Sequence, residues 1–318
     1  MNGADLGICP ELSQIRPQFD IHLFESLPST NTHLWEMLKA DMQTKVKAGT
    51  VVIAQQQSAG RGQRDRSWQS APGGLYLSLA IEPDWPVARS AQLTCFSAWG
   101  IATALGNLGV PIQVKWPNDL FYNGEKLGGI LTETRLSQSS ALLSTALAER
   151  EAAEATVRIK QAVIGVGLNW HNLVPQTGTT LTRILDSGLH GHAKTKINCL
   201  ETLIVIVLRG ILQGYFYQQQ VGSQVFMKTY GKLLTQVGKT VSVKKGRVVP
   251  ASAFDLNSVG SDSAVSGLDT RHSDTESLEA KYSGRVIGIS EEGYLEVAAR
   301  QAAQGERILR IKPDEIRI

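Results

Sequence analysis

The pattern of apolar and polar positions predicts alternating strands and helices over the first third of the chain. A continuous apolar run at 50–54 predicts a buried strand. Leucine and isoleucine alternate with other residues, Ser78 among them, over 75–81, and this predicts a half-buried strand. A Ser-Thr-Asn cap signal at 29–31 predicts the start of a helix. Apolar residues at helical spacing from about Ala88 predict an amphipathic helix.

The middle of the chain predicts further strands and one long helix. Short strands flank the turn-like segment 116–119, and two more cover 127–133 and 162–169. Apolar residues over 200–215 follow the i, i+3, i+4, i+7 rule closely and predict a core helix. The Ala-, Ser- and Glu-rich segment 137–157 predicts an excursion from a hairpin.

The pattern changes again near the C-terminus. After about Leu234, short strand candidates separated by turn residues predict a small β domain. The serine-rich segment 252–277 has too few apolar residues to fold alone and predicts a mobile insertion. We therefore expect an N-terminal arm (1–20), a main domain (21–235) and a C-terminal β domain (236–318) with an insertion at 249–280.

Composition and charge favour a soluble globular protein. Hydrophobic residues make up 42%, charged residues 19%, and the formal net charge is +3. So small a basic excess argues against a generic nucleic-acid coat but not against one local basic site. Three widely spaced cysteines and no secretory signal favour a reducing compartment, and the most apolar run, 203–208, is too short to span a bilayer. We expect a cytoplasmic protein that does not enter a membrane.

The segment 60–68 (GRGQRDRSW) combines glycines, arginines and a tryptophan in one loop. Backbone N–H groups in a glycine-rich turn and planar guanidinium groups both suit phosphate or carboxylate oxygens. Trp68 offers a flat apolar surface for a ring. A solvated basic loop and an RNA-binding segment fit the same residues. The dinucleotide fingerprint GxGxxG is absent, because Asp65 stands at its third glycine.

Two further segments place a lysine beside a candidate strand. In KWPND (115–119), Lys115 and Asp119 would pair a cation for phosphate with a carboxylate for a metal or proton, although Pro-Asn-Asp is also an ordinary turn. In GEKLGGILTE (124–133), the compact charge of Lys126 can neutralise a carboxylate and a phosphate together, and paired glycines let a ligand lie against the strand. A plain hairpin explains this segment equally well.

The segment GVGLN (165–169) places alternating glycines inside a predicted strand. Glycines weaken a strand, so their presence indicates close approach of a ring or of another backbone. Asn169 offers both a donor and an acceptor, which suits a purine edge.

Taken together, five segments resemble the catalytic domain of biotin–protein ligases over roughly 22–235. The segments are STN (29–31), QQSAGRGQRDRSW (56–68), KWPNDL (115–120), GEKLGGILTE (124–133) and GVGLN (165–169). The resemblance implies an α+β fold, with a class II synthetase-like mixed or antiparallel sheet flanked by helices and a small C-terminal SH3-like β-barrel domain. It implies activation of biotin by ATP to biotinyl-5′-AMP with release of pyrophosphate, and then transfer of biotin to a lysine of the biotin carboxyl carrier protein of acetyl-CoA carboxylase. ATP and biotin are then substrates, and Mg²⁺ is the implied ion.

The resemblance also implies roles for individual residues. Those expected to bind biotin are Ser29, Thr30, Asn31, Gln57, Arg61, Gly62, Gln63, Lys126, Gly128 and Gly129. Those expected to bind the nucleotide are Arg61, Arg64, Trp68, Lys115, Asn118, Lys126 and Asn169. Lys126, Arg61 and Asp119 are the candidates for catalysis, and metal ligands are left unassigned. Gln63 and Asp65 depart from the usual loop pattern, in which an arginine and a glycine stand at these positions.

Three other functions are weighed against this one. A lipoate–protein ligase shares the chemistry, but the KWPND and GRG segments fit the biotin branch. A ligase that also represses transcription needs a DNA-binding domain, and the arm 1–20 is too short for one, so we expect no DNA binding. An RNA-binding protein using Arg61 to Arg66 fits poorly with the low net charge. The sequence leaves a monomer or a homodimer open.

Overall fold

Two units make up the chain, the first ending at Gly222 and the second beginning at Ser223. This division falls earlier than the boundary predicted at residue 235. The structure is a computed structural model, and it describes residues 18–40, 48–137, 157–189, 196–243, 247–249, 282–301, 305–312 and 316–317. The predicted arm and the two predicted insertions, at 137–157 and 249–280, lie almost wholly outside the described residues.

An eight-stranded mixed sheet forms the centre of the first unit. Its order is β1-β2-β3-β8-β7-β6-β5, with β4 paired to β8. Only the β1–β2 pair is parallel among these described strands. The strands are β1 (Asp20–Leu27), β2 (Thr50–Gln57), β3 (Leu75–Ile81), β4 (Trp85–Pro86), β5 (Gln113–Lys115), β6 (Asp119–Tyr122), β7 (Glu125–Leu136) and β8 (Arg158–Leu168).

The burial of β3 differs from the predicted pattern. A half-buried strand was expected, but every residue from 75 to 80 is buried, so that prediction was wrong. β3 lies between β2 and β8, and α1 covers one face, where Leu34 packs with Val52 and Ala80. Ser78 is fully buried there and donates a hydrogen bond to Asn31 Oδ1 of α1 at 2.6 Å.

Helices flank the sheet of the first unit: α1 (Thr30–Ala40), α2 (Ser90–Asn107), α3 (Leu181–Asp186) and the part of α4 (Leu200–Gly231) that precedes Ser223. The helices predicted from the cap signal at 29–31 and from 200–215 are confirmed. α2 is not amphipathic as predicted, because 13 of its 18 residues are buried. α4 is interrupted at Gly222, whose φ of 77° and ψ of 165° are not helical.

α2 is buried all round because α4 crosses it at backbone contact distance. A Cβ added to Gly100 would lie 1.9 Å from the carbonyl oxygen of Gly210, and one added to Gly214 would lie 2.0 Å from that of Phe96. The Trp99 and Tyr217 rings stack beside this crossing, with centroids 4.7 Å apart. α4 is long and apolar enough to span a membrane by length and composition, but half of its most apolar window is buried within the protein. This burial is typical of a core helix, and the cytoplasmic location stays a prediction.

The second unit contains an antiparallel six-stranded sheet in the order β10-β13-β12-β11-β9-β14. Its apolar core includes Val241, Val286, Leu295, Val297 and Ile308. The predicted β character of this region is confirmed, whereas the SH3-like barrel stays a prediction. The strands are β9 (Thr240–Val243), β10 (Arg247–Val249), β11 (Tyr282–Ile289), β12 (Leu295–Gln301), β13 (Gly305–Ile311) and β14 (Ile316–Arg317).

Candidate active site

Residues from three separate segments meet around Lys126 at the start of β7. Lys126 Nζ lies 2.6 Å from Asp119 Oδ1 of β6 and 5.2 Å from the centroid of the Trp68 ring. A Cβ added to Gly129 would lie 3.3 Å from Asp119 Oδ1, 3.7 Å from the Trp68 ring and 3.8 Å from Lys126 Cε. The Lys126 and Asp119 side chains are 32% and 22% exposed, so this cation and carboxylate are largely shielded from solvent but still accessible from it.

The backbone of Lys126 is fixed by the segment 177–179. Lys126 N–H donates to the Thr177 carbonyl at 3.0 Å, and Thr179 N–H donates to the Lys126 carbonyl at 2.9 Å. Asn169 Nδ2 donates to the carbonyls of Thr179 at 3.1 Å and Lys126 at 3.4 Å. Asn169, predicted to bind the nucleotide, therefore also holds the strand that carries Lys126.

The alternating glycines of β8 each leave room for a side chain from another part of the fold. A Cβ at Gly167 would lie 2.5 Å from Trp68 Nε1, and one at Gly165 would lie 2.2 Å from Asn31 Oδ1. The prediction that a ring approaches this strand is thus met by the indole of the protein itself. Trp68 Nε1 is buried, and among the described residues no acceptor lies within hydrogen-bonding distance of it.

We call residues 60–68 the lid loop, which folds back on itself as a short hairpin. Gly62 N–H donates to the Arg66 carbonyl at 2.7 Å, and Trp68 N–H donates to the Gly60 carbonyl at 2.8 Å. At its tip Arg64 and Asp65 both have positive φ, 56° and 57°. A glycine at position 65 would adopt this conformation freely, so Asp65 carries a backbone cost that the glycine expected from the resemblance would avoid.

A second polar cluster joins the N-terminus of α1 to β2. The side-chain carbonyl of Gln57 accepts from Thr30 N–H at 2.8 Å and lies 3.2 Å from Thr30 Oγ1. The Gln57 amide donates to Ser70 Oγ at 2.7 Å, and Ser78 Oγ lies 2.8 Å from Thr30 Oγ1. Ser29 caps the helix through a long 3.5 Å contact from Thr32 N–H. The predicted residues Ser29, Thr30 and Gln57 are therefore brought together.

Arg61 is held against this cluster by an acidic side chain of β7. Its Nη2 lies 2.7 Å from Glu133 Oε1, and its Nη1 lies 3.3 Å from Glu133 Oε2 and 3.4 Å from Thr32 Oγ1. Asn31 Nδ2 donates to Glu133 Oε2 at 2.9 Å. The lid loop thus touches the α1 cluster through Arg61 and the Lys126 cluster through Trp68.

Several predicted residues lie apart from these clusters or are engaged in the fold. Gly128 packs on the other face of β7, where a Cβ would lie 2.4 Å from Leu168 Cδ2. Lys115 Nζ lies 6.0 Å from the centroid of the Phe121 ring. Asn118 Nδ2 donates to the Ile130 carbonyl at 2.8 Å. The three predicted lid-loop residues Gly62, Gln63 and Arg64 lie in the hairpin or at its tip.

Sequence reasoning missed Glu133, Ser78 and Ser70, which hold the predicted residues in place. Glu133 ends the GGILTE segment, and a charged residue in the middle of a strand was a usable signal. Ser78 was taken as one of the outer residues of a half-buried strand. Its role depends on α1 lying over β3, which local alternation does not reveal.

Two features bear on ions and titration near the site. Among the described residues, no three His, Cys, Asp or Glu side chains meet as a metal site. Tyr76 precedes the buried Leu77, and its hydroxyl donates to the Ala71 carbonyl at 2.7 Å. Burial raises the pKa of Tyr76 to about 12, because the phenolate would be poorly solvated.

Comparison with known proteins gives matches to biotin and lipoate protein ligases. Residues 23–147 match the model of the Biotin/lipoate A/B protein ligase family. The chain is 34% identical over 123 residues to the bifunctional ligase/repressor BirA of Bacillus subtilis, a match that covers 38% of this chain and 32% of that protein. It is 28% identical over 241 residues to BirA of Escherichia coli, covering 72% of this chain and 65% of that protein. The chain thus spans less than two thirds of these relatives.

A solved structure supports the fold. The biotin protein ligase of Aquifex aeolicus, in complex with biotin and ATP, aligns with a TM-score of 0.58 at 20% identity and covers 92% of this chain and 99% of that chain. This likeness shows the central mixed sheet flanked by helices. The match to the Biotin/lipoate A/B protein ligase family model, over residues 23–147, includes all of the lid loop and both lysine segments.

Proposed function

We propose that this chain activates biotin with ATP to form biotinyl-5′-AMP and pyrophosphate, and then transfers biotin to a lysine of a biotin carboxyl carrier protein. One observation carries the proposal: the lid loop bridges a neutral amide-and-hydroxyl cluster at Thr30 and Gln57 and a charged cluster at Lys126. The names of the relatives and the ligands of the Aquifex aeolicus enzyme support it.

The neutral cluster suits the ureido ring of biotin. A ureido group presents two N–H donors and one carbonyl, so it needs acceptors and a donor without formal charge. Ser29, Thr30 and Gln57 supply hydroxyl and amide groups that are already oriented by hydrogen bonds. Binding therefore costs little side-chain ordering, since the fold has fixed these rotamers beforehand.

The charged cluster suits the other end of the substrate. Biotin carboxylate must attack the α-phosphate of ATP, and the two anions repel each other. Lys126 can contact both. The resemblance adds Arg61 as a second cation, which in this structure is paired with Glu133 at the α1 cluster. Mg²⁺ typically binds substrate phosphates and only one or two carboxylates. Asp119 and Glu133 are the carboxylates present here, and both are already paired with cations, so the ion would enter with ATP and neutralise phosphate charge.

The lid loop suits the protection of the intermediate. The acyl adenylate is a mixed anhydride that water hydrolyses, and Trp68 covers the Gly129 and Gly167 surface beside Lys126. In the second step the neutral amine of a carrier lysine attacks the acyl carbon, the acyl–oxygen bond breaks and AMP leaves. We assign Asp119, beside Lys126, as the group that accepts the proton that this amine loses.

The test is a streptavidin blot of a carrier domain after incubation with the protein, ATP, Mg²⁺ and biotin. We expect labelling by the wild type and by Lys160→Ala, an exposed β8 variant far along the strand. We expect at least a hundredfold loss in Lys126→Ala, on the scale of a lost transition-state contact. Labelling with lipoate in place of biotin, or full activity of Lys126→Ala, would contradict the proposal.

Five features of the whole protein remain part of this proposal. We expect no shift of DNA in a binding assay and no salt-dependent RNA affinity, a cytoplasmic location, and a monomer or homodimer. We also expect the second unit to be the SH3-like barrel that the resemblance implies.

A further inference from the structure

We propose that Glu133 is a positioning residue that couples Asn31, at the α1 cluster, to the lid loop. The structural part of this inference stands on geometry alone. Its substrate part rests on the proposed function, because Asn31 is expected to contact biotin only if biotin is the substrate.

One carboxylate holds two segments that are far apart in sequence. Glu133 Oε1 lies 2.7 Å from Arg61 Nη2, while Oε2 lies 3.3 Å from Arg61 Nη1 and accepts from Asn31 Nδ2 at 2.9 Å. The two contacts to Arg61 form a fork, an arrangement that fixes the direction of a guanidinium as well as its distance. Glu133 thus sets the position of the base of the lid loop relative to α1.

The same carboxylate sets the orientation of the Asn31 amide. Asn31 Oδ1 accepts from Ser78 Oγ at 2.6 Å, and Nδ2 faces both Glu133 Oε2 and the Leu131 carbonyl at 3.3 Å. If the amide turned over, Oδ1 would face two acceptors, which is unfavourable. Asn31 Oδ1 also lies against Gly165, where an added Cβ would come within 2.2 Å of it.

The ion pair between Arg61 and Glu133 is partly exposed to solvent, so its contribution to loop position is modest. The Arg61 and Glu133 side chains are 46% and 25% exposed, so water screens their attraction. A ligand that stabilises the observed Asn31 orientation stabilises Glu133, and through it the seated position of Arg61. By linkage, seating of the loop then favours binding at Asn31 in turn.

The structural part is tested by limited trypsin digestion of the ligand-free protein. Trypsin cleaves after arginine, and Arg61, Arg64 and Arg66 in the lid loop are exposed. Glu133→Gln keeps the size of the side chain but removes its charge, and we expect roughly fivefold faster cleavage in the loop. Asp84→Asn removes a comparable pair, Asp84 with Arg158 at 2.7 Å, and should leave loop cleavage unchanged.

A double-mutant cycle separates coupling from general loosening. Cleavage after Arg66 is followed in Arg61→Gln, in Glu133→Gln and in the double variant. If Glu133 acts through Arg61, adding Glu133→Gln to Arg61→Gln changes cleavage little. Fully additive effects, or a rate in Glu133→Gln equal to that of the wild type, would overturn the inference.

The substrate part is tested by repeating the digestion with biotin. Biotin should slow loop cleavage in the wild type, and Glu133→Gln should lose most of that protection. In a separate reaction with ATP, biotin and the carrier domain, Glu133→Gln should release more free biotinyl-adenylate for each carrier labelled. Equal protection in Glu133→Gln would refute the coupling while leaving the proposed function intact. If biotin neither binds nor protects the wild type, the proposed function fails, and the ligand-free digestion still decides the structural link.

Discussion

Gly100 and Gly106 lie on the same helix, α2, yet alanine at these two positions is expected to change the free energy of unfolding in opposite directions. A Cβ at Gly100 would lie 1.9 Å from the Gly210 carbonyl oxygen and 3.0 Å from Gly214 N, both backbone atoms of α4. The helices would have to separate by about 1 Å or more to accept the new atom, which disturbs the close packing beside it. At Gly106, nothing lies within 4 Å of the added Cβ.

The expected magnitudes follow from these distances. Overpacking costs about 1–3 kcal/mol and more when backbone must move, against a helix-propensity gain of at most about 1 kcal/mol. Gly100→Ala should therefore lose about 2 kcal/mol or more, while Gly106→Ala should gain about 0.5 kcal/mol. All six tryptophans precede Gly222, so tryptophan fluorescence during urea unfolding reports on the first unit. Equal midpoints for the two variants would refute the assigned helix crossing.

Three further predictions concern the lid loop and Tyr76. Gly167→Ala would place a Cβ 2.5 Å from Trp68 Nε1, so we expect the indole to move away from β8. The movement should shift the tryptophan emission spectrum and speed trypsin cleavage of the loop. An unchanged spectrum would contradict the position of the indole against Gly167. Asp65→Gly should keep the loop protected, whereas Asp65→Val, a β-branched residue at positive φ, should speed cleavage severalfold, and equal rates would show that the tip conformation is wrong. Because folding raises the Tyr76 pKa to about 12, the contribution of the neutral phenol to stability is complete below pH 10 and is lost as pH rises towards 12. Tyr76→Phe has no group to ionise there, so over that interval its free energy of unfolding should fall by up to about 2–3 kcal/mol less than that of the wild type. Urea unfolding of both proteins at pH 9 and 11.5 measures the difference.

Local patterns predicted several strands and the long helix correctly. The runs at 50–54 and 75–81 and the helical spacing over 200–215 all lie in elements of the predicted kind. Such elements depend on neighbours within a few residues, which is the range that a local pattern can report. The roles of Thr30, Gln57 and Lys126 came instead from the resemblance to biotin–protein ligases and stay predictions, although the structure brings these residues to the two clusters that the lid loop joins.

Burial and hydrogen-bond partners could not be predicted in the same way. Half-burial of β3 and an amphipathic α2 were wrong, because α1 covers β3 and α4 covers α2, and neither covering helix is visible in the local alternation. Glu133 was missed for a similar reason. Its partners, Arg61 and Asn31, lie 72 and 102 residues away in the chain, and only the folded sheet brings them within reach.

The buried indole N–H of Trp68, which has no acceptor among the described residues, has a consequence for how tightly a small molecule is retained. A buried donor without an acceptor raises the free energy of the seated loop by about 1–3 kcal/mol. A ligand oxygen that accepts a hydrogen bond from this N–H removes that cost. Part of the ligand's affinity would then come from satisfying a buried donor. Molecules identical in shape but lacking such an oxygen would then be held about tenfold or more less tightly, without any clash to account for it.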